Sequence, residues 1–208
     1  MRTLLVVNKL KVLGFAGSLR AGSYNKALLR AAENLLPENL ILEIYDINGI
    51  APFNQDNEQN MPVKVKEFKS KIRGANALLI ATPEYNYSVP GVLKNAIDCA
   101  SRPYGDNPFD GKPVAIMSAS VGMLGGARAQ YHLRQTFVFL NMYPLNGPEV
   151  IVPFAQEKFD ANGKLLDEKT KKFLKQLLQR LADWTEKLGS SKQNQDAEDC
   201  IMTAEDLK

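Results

Sequence analysis

The residues best equipped for chemistry near the N-terminus stand in GFAGSLRAGSYN, Gly14 to Asn25. Gly17 and Gly22 lie five positions apart, the glycine spacing of G-x-x-x-x-G-K-[ST], but Ser23 takes the lysine's place. A nucleoside triphosphatase needs that lysine on the β/γ-phosphates and a Ser or Thr after it for magnesium. Ser23-Tyr24 supplies neither. A dinucleotide fingerprint needs G-x-G-x-x-G, whereas Gly14 and Gly17 are three apart. Asp46, which could imitate the acid that binds a ribose, reads better as a turn residue. The remaining chemistry is that of a turn from strand into helix near Asn25, whose free N–H groups and positive dipole end hold an anion. Gly17 and Gly22 let the backbone approach, Ser18, Ser23 and Asn25 add side-chain donors, and Arg20 adds a charge-assisted contact. A plain turn with Ser and Asn caps explains only part of this set.

Two later stretches could serve the same ligand. In TPEYNYSVPG, Thr82 to Gly91, Tyr85 and Tyr87 offer flat apolar surface, and the N–H groups of Glu84, Tyr85 and Asn86 can meet the edge of a ring. Pro90 suits the first position of a following helix, with Ser88 as a nearby cap. The combination fits a flat heteroaromatic with polar rims, against the plainer alternative of a turn packed on its own core. SASVGMLGGARAQ, Ser118 to Gln130, puts three glycines before a helix, either to bring backbone close to that ligand or as a flexible loop.

The elements that must position these loops follow from periodicity. KVLGFA (Lys11 to Ala16), LILEIY (Leu40 to Tyr45), ALLIAT (Ala77 to Thr82), PVAIMSA (Pro113 to Ala119) and EVIVP (Glu149 to Pro153) read as strands, several apolar at nearly every position. Between and after them come five amphipathic helices. Their markers are Ala27, Leu28, Ala31 and Leu35; Val65, Phe68 and Ile72; Val92, Leu93, Ala96 and Ile97; the stretch Ala127 to Leu140; and Phe173, Leu177, Leu181, Trp184 and Leu188. Such alternation predicts an α/β fold, a doubly wound five-stranded parallel sheet with helices on both faces. Ligands of such sheets bind at the carboxyl ends of the strands, where the loops after strands one, three and four emerge.

A chain of 208 residues, 45% of them hydrophobic, makes one domain. We place it at residues 1–188, with a polar acidic tail, residues 189–208, expected to be disordered. The tail holds two lysines against five acidic residues, so the formal charge of +3 becomes +6 on the body. That balance suits anionic small molecules and is too weak a signal for nucleic acid. Cys99 and Cys200 form no C-x-x-C pair, and with His132 as the sole histidine neither a zinc site nor a Cys-His nucleophile has its parts. The apolar run Leu4 to Val7 is broken by Asn8 and Lys9, too short for a signal sequence. No stretch reaches the ~18 apolar residues of a membrane span. A cytoplasmic protein with no membrane, nucleic-acid or metal partner is the expectation.

GSLRxGSxN (Gly17 to Asn25) and PEYNxSxPGxLKNAID (Pro83 to Asp98), in that order and separation, resemble the NADPH-dependent FMN reductase family with its flavodoxin-like fold. GGARAQYHLRQ (Gly125 to Gln135) is most similar to its chromate and quinone reductases. The likeness covers roughly residues 11–185, and Val92 stands where the family often has a second glycine. The resemblance implies FMN as cofactor, its phosphate on Ser18, Leu19, Arg20, Ser23, Tyr24 and Asn25. It implies the isoalloxazine on Pro83, Glu84, Tyr85 and Asn86, with Ser120 and Gly122 closing the pocket. It further implies a homodimer or homotetramer, for which Arg128, Tyr131 and the run Phe137 to Leu140 offer a surface.

The scarcity of acid–base residues suits this assignment, because hydride transfer from NAD(P)H through FMN to an acceptor is the cofactor's own chemistry. No catalytic side chain is expected, and His132 reads as a structural or interface residue. The acceptors implied are quinones, azo compounds, chromate or free flavin, reduced by ping-pong kinetics. A flavodoxin-like electron carrier or regulatory FMN-binding protein without NAD(P)H turnover is the rival. Its hydroxyl-rich loop and acidic body differ from the arginine-bearing loop and +6 body here. An esterase on a similar fold would want a Ser-Asp-His set that a lone His132 in an apolar helix does not provide.

Overall fold

The computed structural model describes residues 9–205; residues 1–8, with their apolar run, lie outside it. The strands are β1 (Leu10–Ala16), β2 (Leu40–Tyr45), β3 (Ala77–Ala81), β4 (Pro113–Ala119), β5 (Tyr143–Pro144) and β6 (Val150–Val152). The helices are α1 (Tyr24–Glu33), α2 (Val63–Arg73), α3 (Gly91–Ala100), α4 (Ala127–Phe139) and α5 (Glu168–Glu205).

All pairings are parallel, in the order β2-β1-β3-β4-β5, with β6 also on β4. This is the flavodoxin-like order, and its connections reverse direction between β1 and β3, opening a crevice beyond their carboxyl ends. The expected fifth strand, Glu149 to Pro153, is seen as β6, and the edge it occupies also holds the unexpected two-residue β5. β5 pairs with the start of β4 and β6 with its end, separated by the segment Leu145 to Glu149 with its Gly147-Pro148. A proline lacks the N–H that a continuous ladder needs.

The central strands are buried on both faces, and their alternation sends successive residues to opposite layers of helices. Ala16, Ala77, Ala81, Ala115 and Ala119 face α1 and α5, while Phe15, Leu78, Ile80, Val114 and Ile116 face α2, α3 and α4. Small residues bring α1 close: a Cβ on Gly14 would stand 2.9 Å from Leu42 Cδ1 and 3.0 Å from Leu29 Cδ2. On the other face Phe15 meets Phe68 edge to face, with centroids 5.2 Å apart.

Two further findings depart from the sequence reading. The segment between β2 and α2 forms a 3-10 turn, Gln55–Asn60, capped by Asn54. α5 continues through Gly189, where a disordered tail is expected. No proline follows Pro153, and Lys, Gln, Ala and Glu are helix formers, so propensity can extend the helix without an apolar stripe. Among the described residues no helix is long and apolar enough to cross a membrane.

Candidate functional site

The loop after β1 enters α1 through Ser23, whose extended backbone and hydroxyl cap the helix by accepting from Lys26 N–H at 3.4 Å. Among the described residues nothing accepts from the N–H groups of Tyr24 and Asn25. These donors stand at the positive end of the helix dipole, beside the buried hydroxyls of Ser18 and Ser23. Leu19, Arg20 and Gly22 are exposed. Arg20 donates to Gly22 O at 2.5 Å and lies 5.7 Å from the centroid of the Tyr24 ring. No acidic residue occurs between Gly14 and Lys26. Asp46, as expected, serves its own turn by accepting from Asn48 N–H at 3.0 Å.

Asn25 departs from its expected role. Its Nδ2 donates to Ala119 O and its Oδ1 accepts from Ala119 N–H, both at 2.9 Å, and the side chain is buried. The amide is thus committed to β4 through both Nδ2 and Oδ1, and the Asn25 backbone N–H is the donor left without a partner among the described residues beside the helix start.

The second loop is locked to the first. Gly17 donates its N–H to Ala81 O at 2.8 Å. A Cβ there would reach Leu93 Cδ2 at 2.9 Å, Leu93 Cβ at 3.1 Å and Pro83 Cδ at 3.4 Å, so the bare glycine lets the β1 loop pass close against Pro83 and α3 without displacing Leu93. Beyond Pro83 the chain makes a tight turn. Tyr85 and Ser88 exchange backbone hydrogen bonds of 3.1 and 3.0 Å around Asn86 (φ 49°) and Tyr87 (φ 67°). The Tyr85 N–H is therefore spent inside the turn, and of the three expected ring-edge donors those of Glu84 and Asn86 are left. Pro90 is the N-cap residue of α3, one position before the expected one, and no side chain caps it. Ser88 Oγ instead meets His132 Nδ1 at 2.9 Å, which gives the lone histidine a structural partner. Tyr85 and Tyr87 keep exposed faces.

The third loop is held rather than loose. Ser120 N–H donates to Val152 O at 3.0 Å, Ala155 N–H donates to Ser120 O at 3.0 Å, and Gly122 N–H donates to Ser120 Oγ at 3.2 Å. Gly122 O also accepts from Phe154 N–H at 3.4 Å. Phe154, exposed and left-handed at φ 50°, borders this loop, a position that the apolar run EVIVP did not flag. Gly126 completes the junction: its Cβ would lie 2.8 Å from Ser118 Cβ and 3.5 Å from Thr82 O. The three loops thus meet at one edge of the sheet.

A 2-1-3-4-5 parallel sheet whose switch-point loops carry a helix start with free N–H donors and a tyrosine-bearing turn is a flavodoxin-like fold. The family model for NADPH-dependent FMN reductase matches residues 10–157, and the chain belongs to that family. An NAD(P)H-dependent FMN reductase of Pseudomonas aeruginosa is 55% identical over 180 residues, covering 86% of this chain and 97% of its own. A 2-hydroxy-1,4-benzoquinone reductase of a Burkholderia species is 42% identical, covering 84% and 96%. Among solved structures, FerB, a flavoenzyme NAD(P)H:(acceptor) oxidoreductase of Paracoccus denitrificans, superposes with a TM-score of 0.79 at 36% identity, covering 86% and 98%. The expected fold, enzyme class and cofactor stand: the chain is an oxidoreductase that uses FMN and NAD(P)H.

The residues present fit that cofactor. A phosphate dianion wants donors and positive charge without a competing carboxylate, as the start of α1 supplies. A flat ring with polar edges wants apolar faces beside free N–H groups, as the turn of residues 84–87 supplies.

Proposed function

We propose that the chain is an FMN-dependent NAD(P)H oxidoreductase that reduces quinones, with azo compounds, chromate and free flavin as further acceptors. The observation that carries the reading is the unpartnered donor set at the start of α1, set against the tyrosine turn through Gly17 and Pro83. In this reading Ser18, Leu19, Arg20, Ser23 and Tyr24, with the backbone of Asn25, hold the phosphate end. Pro83, Glu84, Tyr85 and Asn86 seat the ring, and Ser120 and Gly122 close the pocket. Bound FMN supplies hydride acceptance from NAD(P)H and hydride donation to the acceptor. The chain's task is to bind, orient and exclude water, and no side chain is required to move a proton. The benzoquinone reductase relative favours quinones as acceptors.

One open face must serve reductant and acceptor in turn, so the kinetics are ping-pong. Initial rates with NADPH and a benzoquinone should give parallel double-reciprocal lines; converging lines would contradict the shared face.

The assembly is a homodimer or homotetramer in this reading. Val138 and Phe139 are 82% and 75% exposed, near exposed Tyr131 on the same helix, whereas Phe137 and Leu140, included in the expected surface, are core residues. Arg128 is engaged within its own chain. A light-scattering mass near the 23.1 kDa of one chain would contradict association. The NAD(P)H consumed belongs to the cell interior, which favours a cytoplasmic location. In this reading the FMN-binding domain is residues 1–188, of which residues 1–8 lie outside the described residues.

A further inference from the structure

Helix α4 reaches over the tyrosine turn with two side chains one helical turn apart. Arg128 donates its backbone N–H to Glu84 Oε2 at 3.1 Å and its Nε to Glu84 Oε1 at 2.5 Å, with Nη2 also 2.5 Å from Oε1. The guanidinium carbon lies 3.4 Å from the centroid of the Tyr87 ring. His132 meets Ser88 at the far end of the same turn. The Glu84 side chain is only 8% exposed, so its charge is compensated by Arg128 rather than by water. Between these anchors Asn86 and Tyr87 sit in the left-handed region, which is unfavourable for a residue as bulky as tyrosine. A strained turn persists where its surroundings over-determine it, and here those surroundings are Arg128 and His132.

We propose that Arg128 is a positioning residue for the flavin ring. Acting through Glu84 and Tyr87, it holds the 84–88 turn in its left-handed form before the ring binds, which fixes the free N–H groups of Glu84 and Asn86. Glu84 then contributes to ring binding by its backbone, and its carboxylate belongs to the clamp. This rests on the flavin reading of the site. Arginine suits the task because its planar fork grips a carboxylate while stacking on a ring, which a lysine cannot do.

The test titrates apoprotein with FMN and with riboflavin, following quenching of flavin fluorescence, for the wild type, Arg128→Ala, Arg128→Lys, Glu84→Gln and the double variant Glu84→Gln/Arg128→Ala. Arg128→Ala should weaken both flavins by the same factor, about tenfold, the scale of a lost charge-assisted hydrogen bond. It should also alter the visible circular dichroism of the bound flavin at saturation. Arg128→Lys should recover part of the loss. Glu84→Gln, which keeps the side chain's shape if Arg128→Ala fails to fold, should show the same equal loss. The double variant should lose little more than either single one. Wild-type affinities and an unchanged dichroism band in Arg128→Ala would overturn the proposal, as would a loss confined to FMN or fully additive losses in the double variant. Wild-type apoprotein that binds neither flavin would overturn the flavin reading itself.

Discussion

Asn25, in the first turn of α1, and Ala119, the last residue of β4, are joined by two reciprocal hydrogen bonds of 2.9 Å. The amide side chain acts as a backbone surrogate that ties the start of α1 to the strand leading into the third loop. A residue expected to touch phosphate thus sets the spacing between two site loops.

Asn25→Ala should leave the N–H and C=O of Ala119 buried without partners, at roughly 1–3 kcal/mol for each group. Urea unfolding of the apoprotein checks the loss. FMN and riboflavin affinities should fall together, and a loss selective for FMN would return the side chain to the phosphate.

Arg20 behaves differently, being exposed and free to reorient from Gly22 O. Arg20→Ala should weaken FMN binding by about 1.5–3 kcal/mol, the range for hydrogen bonds to charged groups, and riboflavin binding much less. Equal losses for both ligands would show that Arg20 does not reach the phosphate.

Gly125 tests the packing of the third loop. Its φ is +57°, and a Cβ would stand 2.6 Å from Ile151 Cγ2 and 2.9 Å from the backbone at Pro153 N and Val152 C. Gly125→Ala should destabilise the apoprotein by about 2 kcal/mol or more, since left-handed strain and overpacking act together. An unchanged melting temperature would contradict the close approach of this loop to β6.

Asp106 predicts a pH dependence. Hydrogen bonding by the buried Lys69 ammonium, helped by the nearby Arg73, holds its carboxyl below the ordinary aspartate value despite some burial. A lowered folded-state value means that the stabilisation is present above about pH 4 and is lost as pH falls through the folded-state value. Asp106→Asn should therefore lower stability at neutral pH and flatten the acid limb of the stability profile. Its exposure keeps the effect small. A variant whose acid limb matches the wild type would contradict the assignment.

The strands and helices were legible because the central strands are apolar at nearly every position while α1 to α4 keep a one-sided stripe. The fifth strand was legible only as EVIVP; the two residues of β5 carry too little pattern to register. The site was legible as loops rather than as hydrogen bonds. Spacing put Asn25 and Tyr85 beside a ligand and Ser88 at a helix cap, but Ala119, Ser88 and His132 claim their polar groups through contacts long-range or within the turn. The Arg128–Glu84 clamp joins residues 44 apart in sequence, and nothing in either motif alone reveals it. At the end of α4, an apolar run of four hid two orientations, with Phe137 and the cap residue Leu140 inward and Val138 and Phe139 outward.

The most direct test of the account is the visible spectrum of the purified protein, after loading with FMN if needed, recorded without oxygen before and after NADPH and again after a benzoquinone. The account predicts about one FMN per chain, bleached by NADPH and restored by the quinone, with FMN rather than FAD released on denaturation. Protein that stays colourless in the presence of FMN, or whose flavin spectrum NADPH leaves unchanged, would contradict it.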